Sequence, residues 1–254
     1  MNSKLRILHL TDIHFSYLDK DELIEKKWQQ LYKIIASEVF INIDLCLITG
    51  DICCHGSEIE YNMAFKYLNM LKDVCKIQKK FILFCPGNHD ADTEFVNSTF
   101  DNYNNFLEKF YGYELYKQNL QARYIDIEGF DKKLKIITAN TNREVSLLNF
   151  DNAMIQKQES IHIIQTTLDE DYNIMLMHHP PICFMDKSDL SRIFDKVDLI
   201  LCGHLHPMKP IIDYDNKAKI ITGIAWTPHL ESIKKGCQII EIVDKDFSVI
   251  PIYI

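Results

Sequence analysis

Residues 88–90 place three polar side chains with different chemical capacities next to one another. Asn88 offers a neutral oxygen ligand, His89 carries an imidazole that titrates near neutrality, and Asp90 has a carboxylate able to orient that imidazole. They follow an apolar run at residues 81–84, which predicts a buried strand ending at a tight turn. Because open α/β folds bind ligands at the carboxyl edge of their sheets, this loop is predicted to belong to a functional site.

Four other apolar runs in the chain also end in clusters of His, Asp or Gly. If each run is a strand, one sheet edge can collect all of these clusters. Carboxylates, imidazoles and an amide oxygen form a ligand set suited to Mn, Fe, Zn or Ni, and thiolate-rich sites look different. The additional side chains that the clusters offer are Asp12, His14, Asp51, His178, His179, His204 and His206.

This number of candidate ligands exceeds what a single metal ion needs. His204 and His206 are two positions apart, which places both imidazoles on the same side of an extended segment, where they can hold two adjacent ions. Asp51 follows a glycine, and its two carboxylate oxygens can bridge two cations and reduce their mutual repulsion. The pattern therefore favours a site for two metal ions.

Strands and helices alternate in the first third of the chain. Apolar residues spaced by three or four predict an amphipathic helix over residues 19–40, with Asp19 as its N-cap. Ser57 and Glu60 form a capping-box pattern that opens a second helix. With the apolar runs between them, these helices predict right-handed crossovers and a parallel sheet.

The remainder of the chain continues in the same style. A hairpin is predicted over residues 124–140, a helix over 151–168, a strand at 174–177 and short β runs from 218 to the end. The aromatic-rich segment 92–119 has two interpretations, a lid or wall of the site and ordinary core packing.

Length and composition favour a single α/β domain over residues 1–254. The chain has 254 residues, of which 47% are hydrophobic, enough for one sizeable core. Its formal net charge of -8 leaves no broad basic face, so strong non-specific nucleic-acid binding is not expected. Bound metal ions can supply the positive charge for phosphoester chemistry instead. The β run at 250–254 also suggests a catalytic module of a larger protein.

The cysteines and the apolar runs bear on cellular location. Several of the eight cysteines lie inside apolar runs and are interpreted as buried free thiols, which indicates a reducing, cytoplasmic location. No stretch approaches the ~18 consecutive apolar residues of a membrane helix, and no secretory leader is recognised. No association with a membrane is therefore expected.

Taken in order, the five clusters read Asp-x-His, Gly-Asp-x-x-x-x-Gly, Gly-Asn-His-Asp, His-His-Pro and Gly-His-x-His, and they run from Asp12 to His206. This order resembles the calcineurin-like metallophosphoesterase superfamily. The small size and the His-His-Pro-Pro loop at 178–181 are most similar to its small cyclic-nucleotide phosphodiesterase branch. The resemblance implies a two-layer mixed β-sandwich flanked by helices on both sides.

Site roles follow from the resemblance, residue by residue. The first metal would be held by Asp12, His14, Asp51 and His206, and the second by Asp51, Asn88, His178 and His204. Catalysis is assigned to His89 and Asp90. His89 would contact the phosphate or protonate the leaving oxygen, and Asp90 would orient His89.

The implied function is hydrolysis of a phosphodiester or phosphomonoester by attack of a metal-bridging hydroxide. The implied cofactors are two divalent or trivalent transition-metal ions, and Mn is the expected activating metal. A nucleotide phosphodiester is the preferred substrate class. Two alternatives remain open at this point, a metallo-nuclease acting on DNA or RNA and a catalytically inactive scaffold with the same fold.

Other polar residues are assigned by weighing a functional role against an ordinary structural one. His9 is interpreted as a satisfied core histidine, His162 as a surface residue and His179 as structural support for the site. Substrate contacts are considered at His55, Asn140 and His229, although an ordinary structural role is the favoured interpretation of His55 and is at least as good for the other two. The pair Cys53 and Cys54 departs from the polar residues usual in the family and is interpreted as packing, with oxidation sensitivity as the alternative.

Overall fold

Two mixed β-sheets form the centre of the computed structural model, which describes residues 4–37, 42–92, 99–117, 122–142, 153–167, 172–184, 187–188, 190–215, 217–227, 234–243 and 246–254. The first sheet has the strand order β11-β10-β1-β2-β3. Its strands are β1 (Lys4–Leu10), β2 (Leu45–Thr49), β3 (Ile82–Cys85), β10 (Gly236–Val243) and β11 (Asp246–Tyr253). Strands β1, β2 and β3 are parallel, as predicted, and β10 and β11 pair antiparallel.

The second sheet has the order β4-β5-β6-β7-β9-β8. Strands β5, β6, β7 and β9 run parallel, and β4 and β8 join its two edges antiparallel. The strands are β4 (Ala122–Ile125), β5 (Leu134–Thr138), β6 (Tyr172–Leu176), β7 (Leu199–Cys202), β8 (Ile211–Asp215) and β9 (Ala218–Thr222). The predicted hairpin is present as β4 and β5.

Six described helices cover the outer faces of the sheets. Helix α1 spans Asp21–Ile35, α2 Glu58–Cys75, α3 Asp101–Tyr111, α4 Tyr113–Lys117, α5 Lys157–Thr166 and α6 Leu190–Phe194. Single 3-10 turns occupy Lys79–Phe81, Asn88–Asp90 and Pro181–Cys183. None of these helices is both long enough and apolar enough to cross a membrane.

Side-chain alternation along the strands divides the interior into three layers. In β1, Leu5 and Ile7 point into the layer between the two sheets, whereas Leu8 and Leu10 pack against α1 and α2. A third layer joins the second sheet to α5 and α6, with Ile163 and Phe194 among its buried residues. This arrangement confirms the predicted two-layer sandwich flanked by helices on both sides.

Helix boundaries differ from the predicted ones at α1. The N-cap is Lys20, which makes no side-chain capping hydrogen bond, and the predicted cap Asp19 instead donates its backbone N–H to the Ser16 carbonyl oxygen. The helix ends at Ile35, and residues 38–40 of the predicted span lie outside the described part. The prediction of Asp19 as the cap was wrong because a turn at residues 16–19 places the start of the helix one residue later.

The described aromatic residues of α3 are core residues. Tyr103, Phe106 and Phe110 are buried, and Phe84 of β3 makes edge-on ring contacts with Phe106 and Phe110. The Tyr111 hydroxyl donates to the Ile82 carbonyl oxygen at 2.6 Å. For these residues the core-packing interpretation is correct, and the residues at 93–98 lie outside the described part.

The capping box at the start of α2 is present as predicted. The Ser57 hydroxyl accepts the backbone N–H of Glu60, and the Glu60 carboxylate accepts the backbone N–H of Ser57. Replacing Ser57 with alanine leaves one donor of the first turn without a partner, so we expect a loss of about 0.5–2 kcal/mol in the free energy of unfolding. Urea denaturation checks this value, with Ser248→Ala at an exposed position of β11 as the matched serine variant. An unchanged stability in Ser57→Ala would show that solvent replaces the cap.

Candidate metal centre

The loops that follow β1 and β2 are joined by backbone hydrogen bonds. Asp12 donates its N–H to the Gly50 carbonyl oxygen at 3.1 Å, and His14 donates to the Asp51 carbonyl oxygen at 2.9 Å. In the second sheet, Gly203 donates to the His178 carbonyl oxygen at 2.9 Å. These ties hold the candidate ligands of neighbouring loops at fixed separations.

One group of ligand atoms comes from Asp12, His14 and His206, which lie within 4.8 Å of one another. Asp12 is fully buried and His14 is 2% exposed. His206 Nε2 lies 3.1 Å from Asp12 Oδ1, so the loop after β7 reaches the loop after β1. The group unites three of the four residues predicted for the first metal.

Asp51 stands between this group and its neighbours. It shares one group of ligand atoms with His14 and His89 and another with Asp12 and His178, each within 4.8 Å. Asp51 Oδ2 lies 3.2 Å from His178 Nε2 and 3.7 Å from His14 Nε2. Asp51 therefore lies within reach of the predicted ligands of both metal positions.

A further group joins His178, His179 and His204 within 4.8 Å. His178 Nδ1 donates to the Thr49 carbonyl oxygen at 2.8 Å, which fixes the proton on Nδ1 and leaves Nε2 as the nitrogen that can bind a metal. Thr49 is the last residue of β2, and the sequence analysis did not identify it. A strand carbonyl gives no signal in the sequence.

The amide oxygen of Asn88 provides a test of whether the residues fit a metal. Asn88 is 2% exposed, and its Oδ1 has no hydrogen-bond partner among the described residues. A buried acceptor without a partner costs about 1–3 kcal/mol. A cation beside Asn88 would remove this cost, so the donor set and its burial fit a metal centre.

The backbone is strained at most of the candidate ligands. Seven described residues other than glycine have a positive φ angle, and five of them belong to the predicted ligand set. Such conformations cost on the order of 1–3 kcal/mol each and cluster at functional sites. The five residues are Asp12, His14, Asp51, His204 and His206. The loops therefore hold the candidate ligands in backbone conformations that lower local stability.

The electrostatics of the site favour bound positive charge. Burial by itself raises the pKa of both carboxylates, but the neighbouring imidazoles, His206 foremost for Asp12, lower the pKa of Asp12 to about 2 and hold that of Asp51 well below its usual value. Burial opposes protonation of His178, yet the Asp51 charge raises the pKa of His178 to about 9. Two ionised carboxylates in a buried position are costly unless positive charge lies nearby, so the site favours a bound cation.

His89 is held by a different partner from the predicted one. Its Nδ1 donates to the Cys54 carbonyl oxygen at 2.9 Å, its backbone N–H donates to Asp51 Oδ1 at 2.9 Å, and its ring lies edge-on to His14 with centroids 4.9 Å apart. A carbonyl oxygen can only accept a hydrogen bond, so Nδ1 of His89 carries a proton. The ring of His89 therefore lies beside the ligand groups and is partly buried.

The prediction that Asp90 orients His89 was wrong. The Asp90 carboxylate is fully buried and accepts the backbone N–H groups of Ile52 and Gly87 at 2.9 Å each, as well as the Tyr61 hydroxyl at 3.1 Å. Burial, with the nearby Asp51 charge, raises the pKa of Asp90 to about 7. Asp90 thus ties the loop at 50–53 to the loop at 87–90 and fixes both at once.

The predicted substrate contacts lie in three different settings. His55 Nδ1 is 2.9 Å from the buried Glu60 Oε1, and its ring lies 5.6 Å from that of the exposed Tyr17. Asn140 Oδ1 accepts the backbone N–H of Asn142 at 2.9 Å. His229 lies outside the described residues.

Asn142 links the loops of the two sheets and was missed in the sequence analysis. Its Nδ2 donates to the Pro86 carbonyl oxygen at 2.9 Å and to Asn140 Oδ1 at 3.1 Å. Two asparagines at the end of the apolar run at 134–139 were the available signal. The contact anchors the turn that carries Asn88 to the second sheet.

The remaining histidine and cysteine interpretations concern residues around the site. His9 is fully buried and hydrogen-bonded by Nε2 to the Thr49 hydroxyl at 2.8 Å, and His162 is exposed on α5, as predicted. Cys53 is fully buried, and Cys54 Sγ donates to the His14 carbonyl oxygen at 3.4 Å. Burial raises the pKa of Cys54 to about 12, which disfavours a reactive thiolate and favours the packing interpretation.

Gly87 allows the two central loops to meet. A Cβ atom at this position would overlap Oδ1 and the backbone nitrogen of Asp51. We expect Gly87→Ala to displace the Asp51 carboxylate and to lower metal affinity by at least about 10-fold, the size of effect seen when the support of a metal ligand is lost. Metal titration monitored by calorimetry measures the change.

The control for Gly87→Ala is Gly112→Ala, after α3. Gly112 has φ 78°, and a Cβ atom there would meet nothing within 4 Å. We expect Gly112→Ala to cost about 1–3 kcal/mol in stability through backbone strain, because ψ is 154° and the conformation is one that glycine favours, and to leave metal affinity unchanged. Equal metal affinity in wild-type protein and Gly87→Ala would contradict the close approach of the two loops.

Comparisons with known proteins agree with this architecture. The sequence model of the calcineurin-like phosphoesterase family matches residues 5–208. A curated relative, an uncharacterized protein of Acanthamoeba polyphaga mimivirus, is 29% identical over 86 residues, which is 34% of this chain and 6% of that protein. The match thus spans a small fraction of the length of the relative.

Two solved structures share the fold. GAP50, described as the anchor in the inner membrane complex of Plasmodium, has 14% sequence identity and a TM-score of 0.59, with 99% of this chain and 85% of that chain covered. The sulfate thiohydrolase SoxB of Thermus thermophilus has 11% identity and a TM-score of 0.56, with 98% and 56% covered. At these identities the likeness shows the fold alone.

Proposed function

This chain belongs to the calcineurin-like phosphoesterase family, and we propose that it is a dinuclear-metal-dependent hydrolase that prefers a nucleotide phosphodiester. The observation that carries the proposal is the convergence of buried carboxylate and imidazole ligand atoms from the loops of both sheets, within 4.8 Å in each group. Family membership supports phosphoesterase chemistry. The two-metal centre and the substrate class go beyond it.

The ligand groups support a division into two metal positions. Asp12, His14 and His206 would hold the first ion, with Asp51 as the shared ligand. Asn88, His178 and His204 would complete the second position together with Asp51. Mn, Fe, Zn and Ni all suit this mixture of oxygen and nitrogen donors, and Mn is the ion we expect to support activity.

The protein's own groups have distinct tasks in such a reaction. Bound metal ions would activate water and neutralise charge on the phosphoryl group. Asp51 and Asp12 keep negative charge in the buried centre, and the Thr49 carbonyl holds the ring of His178 in its binding orientation. His89, with Nδ1 fixed by the Cys54 carbonyl, presents Nε2 to the phosphate or to the leaving oxygen, to which it can deliver a proton.

The surroundings of the site support a small substrate with an aromatic group. Tyr17 is 51% exposed and His55 is half exposed beside it, so the two rings offer a face on which a nucleobase can stack. Asn140 and His229 stay candidate substrate contacts. The net charge of -8 counts against a nuclease that must hold a long phosphate backbone.

An inactive scaffold is the alternative from a different functional class. One structure with the same fold is described as an anchor, so the fold alone does not distinguish an enzyme from a scaffold. Every position of the predicted ligand set that the motifs require is filled, which favours an enzyme. Bound metal and turnover together separate the two.

Domain organisation and cellular location belong to the same proposal. We propose that residues 1–254 form one domain, which is compatible with a catalytic module of a larger protein. We also propose a reducing, cytoplasmic location, because the eight cysteines are free and six of them are buried.

The deciding experiment is a turnover screen of the protein loaded separately with Mn, Fe, Zn and Ni. The substrates are a chromogenic phosphodiester, a chromogenic phosphomonoester, cyclic nucleotides, linear dinucleotides, and single- and double-stranded nucleic acids. We expect metal-dependent turnover, fastest with a nucleotide phosphodiester. Turnover of long nucleic acids alone would favour the nuclease, and tightly bound metal without any turnover would contradict the hydrolase proposal.

A further inference from the structure

His179 has a ring nitrogen without a partner deep inside the site. The residue is 1% exposed, and Nε2 has no hydrogen-bond partner among the described residues. Nδ1 is occupied, since it lies 2.9 Å from the Thr141 hydroxyl oxygen. The sequence predicts a supporting role for His179. A histidine in such a role would be expected to form hydrogen bonds to neighbouring protein groups through both ring nitrogens.

The position of the ring points to the metal centre. The ring centroid of His179 lies 4.4 Å from that of His204 and 5.0 Å from that of His178. Ligand atoms of the three imidazoles fall within 4.8 Å of one another. Two nitrogens bound to one ion at the usual metal–nitrogen distance of about 2.0–2.1 Å are separated by at most about 4.2 Å, so a small adjustment brings all three to one ion.

We propose that His179 is a third imidazole ligand of the metal ion held by His178 and His204. This inference rests on the proposed dinuclear centre and adds a residue to it. Thr141 would act as the positioning residue, because its hydroxyl oxygen can accept the proton of Nδ1 and thereby leave the lone pair of Nε2 to the metal.

The two metal positions would then differ in character. The first is built from two carboxylates and two imidazoles, whereas the second gains a third nitrogen in addition to Asn88 and the shared Asp51. Imidazole-rich sites suit Zn, Fe, Ni and Cu, and carboxylate-rich sites suit Mn. We therefore expect the second position to prefer Zn over Mn and the first to accept Mn more readily.

The test uses Co²⁺ as a paramagnetic probe in the full chain. Wild-type protein, His179→Ala, His179→Gln and the surface variant His162→Ala are titrated with Co²⁺ against a competing chelator. Proton NMR in H₂O and D₂O then counts the exchangeable imidazole N–H signals that are shifted by the metal. Circular dichroism confirms that each variant is folded.

We expect both His179 variants to bind one of two Co²⁺ ions at least about 10-fold more weakly and to lose one shifted imidazole N–H signal. His162→Ala should match wild-type protein in both measurements. Thr141→Val should weaken the same ion while the signal count is retained at saturating Co²⁺, as expected for a positioning residue.

Each other outcome has a defined meaning. If wild-type protein binds no Co²⁺, the dinuclear centre itself is refuted. If wild-type protein binds two ions and the His179 variants keep the affinity and the signal count, the His179 assignment alone is overturned. If the variants keep both ions but bind inorganic phosphate more weakly, His179 donates to the substrate and is not a ligand.

Discussion

Replacement of Asp51 by asparagine is expected to abolish metal-dependent turnover. The substitution preserves the size of the side chain and an oxygen that can still accept the His89 backbone N–H, for which Oδ1 now lies at 2.9 Å. It removes the negative charge that both metal positions would share. Since the stabilisation supplied by a metal ion is worth several kcal/mol, we expect turnover to fall by about 10³-fold or more.

Two measurements distinguish this expectation from simple unfolding. Metal content after equilibration with Mn should fall in Asp51→Asn, while circular dichroism in chelator should show a folded protein whose thermal midpoint is lower than that of wild-type protein, because the contact between the Asp51 charge and His178 is lost. Asp73→Asn on the exposed surface of α2 is the matched carboxylate control and should retain both metal and turnover. Asp51→Asn with two bound metal ions and full turnover would refute the bridging role.

The histidine His204 offers an independent check on the same centre. His204→Ala should also abolish turnover, but through the second metal position, which leaves the group of Asp12, His14 and His206 complete. We expect one metal ion per chain in this variant and fewer in Asp51→Asn. The comparison tests whether the two positions share Asp51.

The placement of the ligands could be predicted from the sequence because each cluster follows an apolar run. Once strands such as β2 and β3 are parallel neighbours, their carboxyl ends must lie at the same edge, and Asp51 and Asn88 arrive there together. The apolar runs alone predicted a parallel sheet, and the order of the motifs, through the family resemblance, predicted that two sheets pack together. Local pattern and topology agree at these positions.

The partners of individual side chains could not be predicted in the same way. Asp90 was expected to orient its neighbour His89. Its carboxylate instead accepts hydrogen bonds from buried backbone N–H groups of the 50–53 loop and of Gly87. A buried N–H without a partner is costly, so hydrogen bonds from the backbone to Asp90 form in preference to one from the adjacent imidazole. Which donors a buried carboxylate accepts depends on loop geometry, and the spacing of residues in the sequence does not specify that geometry.

The same limit applies to acceptors from the backbone. His89 and His178 are both oriented by carbonyl oxygens, those of Cys54 and Thr49, which any residue type would provide equally well. The ring orientations that decide which nitrogen performs chemistry are therefore set by the fold. For the same reason, the sequence gives no sign that Nε2 of His179 lacks a hydrogen-bond partner among the described residues.

Replacement of His89 by alanine is expected to leave the metal ions bound and to lower kcat by about 10²–10⁴-fold, the usual contribution of a positioned general acid. The ligand groups formed by Asp12, His14 and His206 and by His178 and His204 do not require the His89 ring. Its backbone N–H to Asp51 survives the substitution. Metal content and kcat with a chromogenic phosphodiester measure the two effects separately.

A substrate series sharpens the assignment of His89. If Nε2 protonates the leaving oxygen, a phosphodiester with a good leaving group such as a nitrophenolate should lose less rate in His89→Ala than one with a poor alkoxide leaving group. If His89 binds the phosphate instead, both substrates should lose rate by the same factor. Loss of metal in His89→Ala would contradict both roles and would make His89 a ligand, as its shared group with His14 and Asp51 would then require. The leaving-group dependence therefore decides between proton transfer and charge stabilisation, while the metal content decides whether either is possible.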